Sequence, residues 1–355
     1  MKISIIAPVL SGKGGTETVI NKVLNSDSLK QSQISTTLFL AGGTYSLEWL
    51  KNTSANRLIS ITEKNKLLKL LRFIQYLLHT DDQLLLILST KLIVLAYWIK
   101  KIFNRKYTII SWIHFSLNDE PEVHTKDLHY ADAHFAISSG IREQLLALGI
   151  PDNNIYTVYN PVSPNQNIIP QAEQAKFVFI GRILFDGQKN LKELIDGLAQ
   201  VKLNNWQITM IGTGPDLQKC QNYIAEKYPN LIQSFIWKGW VDDPWTIIDE
   251  ASLLLLTSKF EGFPMVLLEA ISRGLPCLSS DCPTGPADII QPAINGDLYQ
   301  MGNLQEFSSK ISYLLDEVHF ESKTVKSSIE KFYDQSYEKN ILKALNEVKI
   351  DHVKK

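Results

Sequence analysis

Lys259-Phe-Glu-Gly-Phe-Pro-Met-Val-Leu-Leu-Glu-Ala270 is the stretch that decides the fold, and it follows a short run of leucines at 253–256. That run is too short for a helix and predicts a buried parallel strand. Gly262 then permits a sharp turn, Pro264 suits the first turn of a helix, and Gly274 is suited to ending it. The sequence therefore predicts a strand whose carboxyl end leads through a loop into a helix N-terminus.

The same stretch carries groups that a nucleotide-sugar needs. A helix N-terminus presents unpaired N–H groups and a partial positive charge, and both favour phosphate. Glu261 lies in the predicted loop and Glu269 lies two turns into the helix. Carboxylates accept hydrogen bonds from pairs of hydroxyls, such as those of a sugar or a ribose. Taken singly, Glu261 could instead cap the helix, and Glu269 could be a solvated helix residue.

The composition bounds the class of protein. A chain of 355 residues with 45% hydrophobic and 21% charged residues suits two soluble domains of ordinary size. The net charge of −1 argues against nucleic acid as a partner. Residues 1–165 carry 17 Lys and Arg against 13 Asp and Glu, whereas the remainder carries 19 against 24. The first half is therefore the part expected to meet an anionic partner.

Cysteine usage and hydropathy indicate the compartment. Cys220, Cys277 and Cys282 show no metal-ligand spacing, and they predict a reducing, cytoplasmic environment. Residues 1–7 are too short for the apolar region of a signal peptide and predict a first strand. The most hydrophobic tract, residues 84–99, is interrupted by Lys91 and is shorter than a membrane span. It predicts a strand followed by a helix.

A glycine-rich loop, residues 11–18, separates the first predicted strand from the first predicted helix, a usual place for phosphate. It matches neither the P-loop, because Lys13 comes too early, nor the Gly-x-Gly-x-x-Gly fingerprint, because residue 17 is Glu. Two interpretations of Gly14 and Gly15 stay open from the loop alone. They let the backbone approach a phosphate, or they only make a tight turn.

Strand-like apolar runs alternate with helical patterns along the chain. The predicted strands lie at 2–10, 35–40, 84–88, 107–113, 132–137 and 155–159, and, beyond a Pro- and Asn-rich linker at 160–170, at 176–180, 207–211, 235–237, 253–256 and 276–279. This pause and restart predict an α/β fold of two doubly wound, Rossmann-like domains facing a central cleft. We assign the domains to 1–165 and 166–330, with a helical tail at 331–355 that packs back on the first.

Two predicted helices of the first domain are basic. Residues 63–79 combine seven aliphatic side chains with Lys64, Lys66, Lys69 and Arg72, and residues 91–106 end in four cations. This pattern favours an anionic membrane surface, where each cation contributes roughly 1 kcal/mol. The alternative is an ordinary domain helix with a solvated basic face.

Other candidate residues follow predicted strands, at the sheet edge where parallel α/β folds bind ligands. His114 follows the fourth strand and could contact a sugar or be a structural histidine. Arg182 and Lys189 follow the first strand of the second domain and could bind a diphosphate or form surface salt bridges. His124, His129 and His134 repeat every five residues and would not share one helix face, so no metal site is expected there.

Four features occur in an order that resembles the retaining glycosyltransferases of family 4, whose fold is GT-B. They are Gly14-Gly15, Gly181-Arg182 with Lys189, Gly212-Thr-Gly214, and the pair Glu261 and Glu269, which resembles the E-x7-E motif of the family. The resemblance covers nearly the whole chain. Residues 112–117, 136–141, 260–265 and 280–290 look like the branch of the family that adds galactose in α-1,6 linkage to lipopolysaccharide core.

The resemblance implies a retaining, metal-independent hexosyltransferase with a UDP-sugar donor and a cell-surface glycan acceptor. It implies that Arg182 and Lys189 stabilise the leaving diphosphate, while Glu261 and His114 contact the donor sugar. The expected nucleotide contacts are Gly14, Gly15, Gly212, Glu269 and the N–H groups of Phe263, Met265 and Val266. No Asp-x-Asp occurs in the chain, so the usual carboxylate pair for a metal on the diphosphate is missing. Arg, Lys and a helix dipole would then meet the leaving-group charge.

Two other functions remain open on the sequence. A nucleotide-sugar epimerase on the same scaffold would need no acceptor and little membrane affinity, and the basic helices argue mildly against it. A non-catalytic partner of another transferase would be expected to lack the charged residues named above, yet the chain retains them. The transferase interpretation predicts a cytoplasmic protein, peripheral on the inner membrane.

Overall fold

A computed structural model describes residues 1–12, 14–203 and 205–353 of the chain. It contains two compact units, each built on its own parallel sheet. The first unit comprises Met1–Pro161 and Asp334–Lys355, and the second comprises Val162–Tyr333. The division falls within the linker predicted from the Pro- and Asn-rich segment at 160–170.

The first unit alternates strands and helices in the order expected for a doubly wound fold. Its elements are β1 (Lys2–Ala7), α1 (Gly15–Asn25), α2 (Asp27–Gln31), β2 (Ser35–Leu40), β3 (Arg57–Ser60), α3 (Lys66–His79), β4 (Leu84–Ile87), α4 (Thr90–Ile102), β5 (Thr108–Ser111), β6 (Ala133–Ala136), α5 (Ser139–Ala147) and β7 (Ile155–Thr157). The seven strands are ordered β3-β2-β1-β4-β5-β6-β7, and every pair is parallel. Central strands such as β4 are buried along their whole length, because helices cover both faces of a parallel sheet.

The second unit repeats the plan with six strands. Its elements are β8 (Ala175–Ile180), α6 (Leu191–Leu198), β9 (Trp206–Ile211), α7 (Leu217–Lys227), β10 (Phe235–Gly239), β11 (Leu253–Leu256), α8 (Met265–Ile271), β12 (Cys277–Ser280), α9 (Pro286–Ile289), β13 (Gly296–Tyr299), α10 (Leu304–Asp316) and α11 (Ser322–Ser327). The strand order is β10-β9-β8-β11-β12-β13, again all parallel. The predicted α/β fold of two Rossmann-like domains is confirmed.

The last helix, α12 (Asp334–Val353), belongs to the first unit. Lys22 of α1 lies 2.6 Å from Asp334, and the Ser28 hydroxyl donates to Glu338 at 2.7 Å. Ile341 and Leu345 of this helix are fully buried. Among the helices that the structure describes, none has the length and apolar character needed to cross a bilayer.

The sequence patterns missed two edge strands. β3 was not predicted because two of its four residues are exposed and none of the usual strand alternation is present. β13 contains Gly and Asp, which are depleted in strands, and it is held by its pairing with β12. The segment between β10 and β11 forms a short 3₁₀ turn, Pro244–Ile247, and the helix predicted at 91–106 ends at Ile102 rather than Lys106.

Candidate functional site

The order of strands in the second unit locates a candidate site. Chain direction across the sheet reverses between β8 and β11, and in open parallel sheets ligands bind at the carboxyl ends beside such a switch point. The loops that leave these two strands carry Arg182 and Lys189 on one side and Glu261 on the other. The fold therefore brings together residues 72 to 79 positions apart in the sequence.

Lys189 and Glu261 form an ion pair across the switch point. The Lys189 Nζ donates to Glu261 Oε1 at 2.6 Å, and their side chains are only 16% and 9% exposed. For Lys189 the sequence left open a diphosphate contact or a surface salt bridge, and the structure contains an ion pair that is largely shielded from water. The sugar contact of Glu261 was implied by the family resemblance, and a contact between the two residues was not predicted. A shielded cation held by a carboxylate is a ready electrostatic partner for an incoming phosphate.

Arg182 contrasts with Lys189. Its side chain is exposed, and within 1–12, 14–203 and 205–353 it has no hydrogen bond or ion pair. Of the two possibilities left open by the sequence, the structure does not contain the surface salt bridge. The guanidinium remains able to bind an anion with two parallel hydrogen bonds.

Helix α8 begins directly after the Glu261 loop. Pro264 is its N-cap residue, and the N–H groups of Met265 and Val266 have no backbone acceptor in the described chain. The Phe263 ring is buried and packs edge-on against Phe332 at 5.3 Å between centroids. This packing fixes the loop, so the ring has a structural task whatever its N–H group binds.

A neighbouring segment that the sequence analysis did not use for the site holds this loop from the other side. The buried Thr284 hydroxyl donates to the backbone carbonyl of Glu261. Gly285 has a φ of +95°, and a Cβ there would lie 2.5 Å from Cδ of Pro264. Residues 280–290 therefore position Glu261 through contacts with the backbone of its loop. These contacts join segments more than 20 residues apart, so the sequence pattern did not indicate them.

Glu269 lies one to two turns along α8 and is held by an aromatic residue that the sequence did not single out. The Trp245 indole N–H donates to Glu269 Oε2 at 3.1 Å. Arg273 stacks over the Trp245 ring at 4.6 Å and donates to the Glu269 carbonyl at 2.9 Å. Burial lowers the pKa of this arginine from its usual value. Trp245, Glu269 and Arg273 therefore form one cluster. The feature of the sequence that could have pointed to Trp245 is its position directly after Pro244.

Gly212 is required by backbone geometry. Its φ is +135°, and a Cβ at this position would lie 1.9 Å from the carbonyl oxygen of Gly181. Its N–H donates to the Gly239 carbonyl at 2.7 Å. The glycine thus lets the loops after β8, β9 and β10 come together, which accounts for it without a ligand.

In the first unit, the glycine-rich loop is organised by Glu17. This side chain is 4% exposed, and its Oε1 accepts from the Gly12 N–H at 2.6 Å and from the Ser11 hydroxyl at 2.8 Å. Gly14 caps α1, and a Cβ on it would lie 2.8 Å from Glu17 Oε2. Gly15 is the first residue of α1. The tight turn predicted as one alternative is present, and phosphate binding by this loop stays a prediction.

His114 follows β5 and is 9% exposed. Its ring lies 4.6 Å from the fully buried Trp112 ring, and its Nε2 has no hydrogen-bond partner in the part of the chain described. Burial lowers its pKa to about 3, so the imidazole is neutral at physiological pH. A buried, neutral nitrogen without a protein partner is suited to one hydrogen bond with a hydroxyl.

His134 and His124, two other histidines of the first unit, have different partners. His134 is buried and bonds through Nδ1 to the Ser111 hydroxyl at 2.7 Å, and burial lowers its pKa to about 4. His124 lies 3.5 Å from Asp127 at an exposed position. Over the described residues, no three His, Cys, Asp or Glu side chains are grouped so as to hold a metal ion.

A family model matches the second unit, and two curated relatives match nearly the whole chain. The family model described as glycosyl transferases group 1 matches residues 165–331, which span most of the second unit. The lipopolysaccharide 1,6-galactosyltransferase of Salmonella typhimurium is 38% identical, over 97% of this chain and 98% of that protein. The protein of the same name from Escherichia coli is 37% identical, over 95% and 96% of the two chains.

Solved structures of related proteins share the fold of this chain over nearly its whole length. The apo form of a lipopolysaccharide outer core galactosyltransferase superposes with a TM-score of 0.84 at 38% identity, covering 97% of this chain and 99% of the other. An Anabaena protein crystallised with UDP superposes with a TM-score of 0.74, covering 98% and 100% of the two chains. Its 17% identity makes that a likeness of fold only.

Proposed function

This chain belongs to the group 1 glycosyltransferases, and we propose that it transfers galactose from UDP-galactose to the core oligosaccharide of lipopolysaccharide. The observation that carries the proposal is the shielded pair of Lys189 and Glu261 at the switch point. Arg182 lies in the same β8–α6 segment as Lys189, and α8 begins directly after the Glu261 loop. Full-length similarity to two lipopolysaccharide 1,6-galactosyltransferases supports the choice of donor and acceptor.

The proposed chemistry centres on the leaving diphosphate. Cleavage of the bond between the sugar and the β-phosphate builds negative charge on the phosphate oxygens. We assign Arg182 and Lys189 to that charge, together with the N–H groups of Met265 and Val266 and the helix dipole. A cation stabilises the transition state best when it is already in position before the reaction. The Glu261 carboxylate holds Lys189 in this way.

The two glutamates are assigned different ligands. Glu261, whose second carboxylate oxygen is not used by Lys189, would accept from hydroxyls of the donor sugar. Glu269, oriented by Trp245, would accept from the ribose hydroxyls. His114 would make one hydrogen bond to a sugar hydroxyl through Nε2, as a neutral ring.

We propose further that the transfer retains the anomeric configuration and needs no metal ion. Cationic side chains and backbone N–H groups would take the place of a metal on the diphosphate. The acceptor would bind the first unit, and the reaction would take place at the cytoplasmic face of the inner membrane. Gly14 and Gly15 would then allow close approach of the first unit's backbone to an anionic group of a substrate.

The test is release of nucleoside diphosphate from UDP-, GDP- and ADP-sugars in EDTA, with and without lipopolysaccharide that lacks the galactose branch. We expect release from UDP-galactose that rises with acceptor, and an α-linked product by NMR. Release only from another sugar would overturn the donor assignment. Loss of release in EDTA that added Mg²⁺ restores would overturn metal independence, and conversion of the donor without acceptor would indicate an epimerase.

A further inference from the structure

Asn190, the residue directly after Lys189, has a strained backbone. It is the N-cap residue of α6, with φ and ψ both at 50°, in the left-handed region. Residues other than glycine adopt this region at a cost in free energy, although asparagine tolerates it better than most. Such strain persists only where the surrounding structure enforces it. The contacts that enforce it at residue 190 therefore also fix the direction in which the Lys189 side chain leaves the backbone.

The first of these contacts is a buried hydroxyl group. Thr257 directly follows β11 and is fully buried, and its Oγ1 lies 3.1 Å from the Lys189 carbonyl oxygen and 3.2 Å from that of Asn190. Consecutive carbonyl groups point to opposite sides of an extended chain, so one hydroxyl does not reach both there. The Thr257 hydroxyl reaches both carbonyl groups because Asn190 is in a helical, left-handed conformation.

The second contact holds the Asn190 side chain. Its Nδ2 donates to Glu193 Oε2 at 2.5 Å, while the Tyr299 hydroxyl and the Gly302 N–H donate to Glu193 Oε1 at 2.9 and 2.8 Å. Glu193 is 8% exposed, and no Lys, Arg or His of the described residues lies within ion-pair distance of it. Three uncharged donors and the N-terminal end of α6 therefore meet the charge of this buried carboxylate.

The arrangement of Asn190 and Glu193 differs from ordinary helix capping. In a capping box, the glutamate three residues after the N-cap accepts from the N-cap backbone N–H. The backbone N–H of Asn190 instead donates to the Gly187 carbonyl at 3.0 Å, and Glu193 binds the Asn190 side chain. Capping of α6 therefore does not account for Glu193, whereas control of the backbone at residue 190 does.

We propose that Glu193 is a positioning residue for Lys189. It holds Asn190 in the left-handed conformation, and this conformation keeps the Lys189 ammonium group 2.6 Å from the Glu261 carboxylate. Tyr299, at the end of the edge strand β13, fixes Glu193 in turn, so the carboxylate acts through Lys189 and not on the substrate. The inference rests on the proposed function, in which Lys189 meets the charge of the leaving phosphate.

Glycine at position 190 provides the test, because glycine adopts a positive φ without help from a side chain. The variants are Glu193→Ala, Asn190→Gly and the two combined. We expect Glu193→Ala to lower kcat about tenfold, the loss that follows when one hydrogen bond to a charged group no longer holds the competent conformation. Asn190→Gly and the combined variant should both stay within about threefold of the parent, since residue 190 no longer depends on Glu193.

Crystal structures of the same variants give a readout that does not depend on turnover. In Glu193→Ala, residue 190 should leave the left-handed region, and Lys189 Nζ should lie beyond about 4 Å from Glu261, the limit of an ion pair. In the combined variant, both should return to their positions in the parent. If Glu193→Ala does not fold, Tyr299→Phe removes one donor to the carboxylate and should lower kcat about threefold, with the same rescue by Asn190→Gly.

Asp196→Asn is the matched control, because it removes another buried carboxylate from the same helix. Asp196 is 5% exposed, and it accepts from the Tyr223 hydroxyl at 2.8 Å and from Lys192 Nζ at 2.6 Å. These partners lie in α7 and α6, outside the Lys189 loop. Asp196→Asn should lower the urea midpoint of unfolding and leave kcat within about twofold of the parent. A loss of kcat as large as that of Glu193→Ala would overturn the inference, because any buried charge on this helix would then have the same effect.

Two other results would overturn the inference. One is a Glu193→Ala structure in which residue 190 keeps its positive φ and the ion pair of Lys189 and Glu261 is intact. The other is a combined variant that turns over as slowly as Glu193→Ala alone. A parent protein that releases UDP from no sugar nucleotide would refute the proposed function instead, and the crystal structures would still decide the role of Glu193.

Discussion

The ion pair of Lys189 and Glu261 allows a test that separates catalysis from stability. At 2.6 Å and an effective dielectric constant of 20, the attraction is about 6 kcal/mol before desolvation is counted. Both side chains are largely shielded from water, so removing one partner leaves the other charge uncompensated. We expect Lys189→Met and Glu261→Gln each to lower the free energy of unfolding of the second unit by about 3 kcal/mol.

The double variant is the informative one. With neither charge present, it should lose roughly 3 kcal/mol less than the sum of the single variants, because no unpaired charge remains. Turnover should behave differently. Each single variant should lose about 10² to 10³ in kcat, and the double variant should regain none of it, since the cation that meets the leaving phosphate is still absent.

Urea unfolding gives the stabilities, and UDP release at saturating donor gives the turnover. Lys192→Met is the matched control, because Lys192 pairs with Asp196 at 2.6 Å but is 43% exposed. It should cost under about 1 kcal/mol and leave turnover within twofold. If turnover returns in the double variant together with stability, or if Lys189→Met turns over within tenfold of the parent, the pair is structural and the reasoning fails.

Three further outcomes follow from the geometry. Gly212→Ala should lower the free energy of unfolding in urea by about 3 kcal/mol, because the φ of residue 212 is +135° and the new Cβ would lie 1.9 Å from the Gly181 carbonyl oxygen. Gly302→Ala is the control: its Cβ would have open space around it, so it should cost only about 1 kcal/mol. Trp245→Phe replaces the indole by a smaller aromatic ring and removes the N–H that donates to Glu269, so KM for the donor should rise roughly fivefold with kcat unchanged. An unaltered KM would contradict this role. Burial lowers the pKa of His114 to about 3, so below pH 6.5 the unfolded chain binds a proton at this residue that the folded chain does not. His114 by itself should therefore lower stability by about 1.4 kcal/mol per pH unit between pH 6 and 4, and His134, whose pKa is about 4, should add to that slope. His114→Gln should remove the contribution of His114 and make the slope shallower in unfolding curves.

The two-domain α/β architecture could be predicted from the sequence because its signals are local. Short aliphatic runs such as Leu253–Leu256 are buried on both faces of a parallel sheet, so they read as strands without any knowledge of their neighbours. The turn and helix after that strand follow from Gly262, Pro264 and Gly274 for the same reason. The strands that were not predicted, such as β3, lie at the sheet edges, where pairing with one neighbour and not an apolar composition defines the strand.

The tertiary structure alone decided which groups meet and which faces are open. Lys189 and Glu261 are 72 residues apart, and their contact depends on two loops that leave adjacent strands at a switch point. Trp245 and Thr284 support the site through single contacts that have no sequence signature. In α3, the periodicity of the leucines indicates an amphipathic helix, but a helix with two apolar faces buries only one. Which face that is depends on the position of Phe39 in the sheet beneath it, a long-range fact that local pattern does not encode.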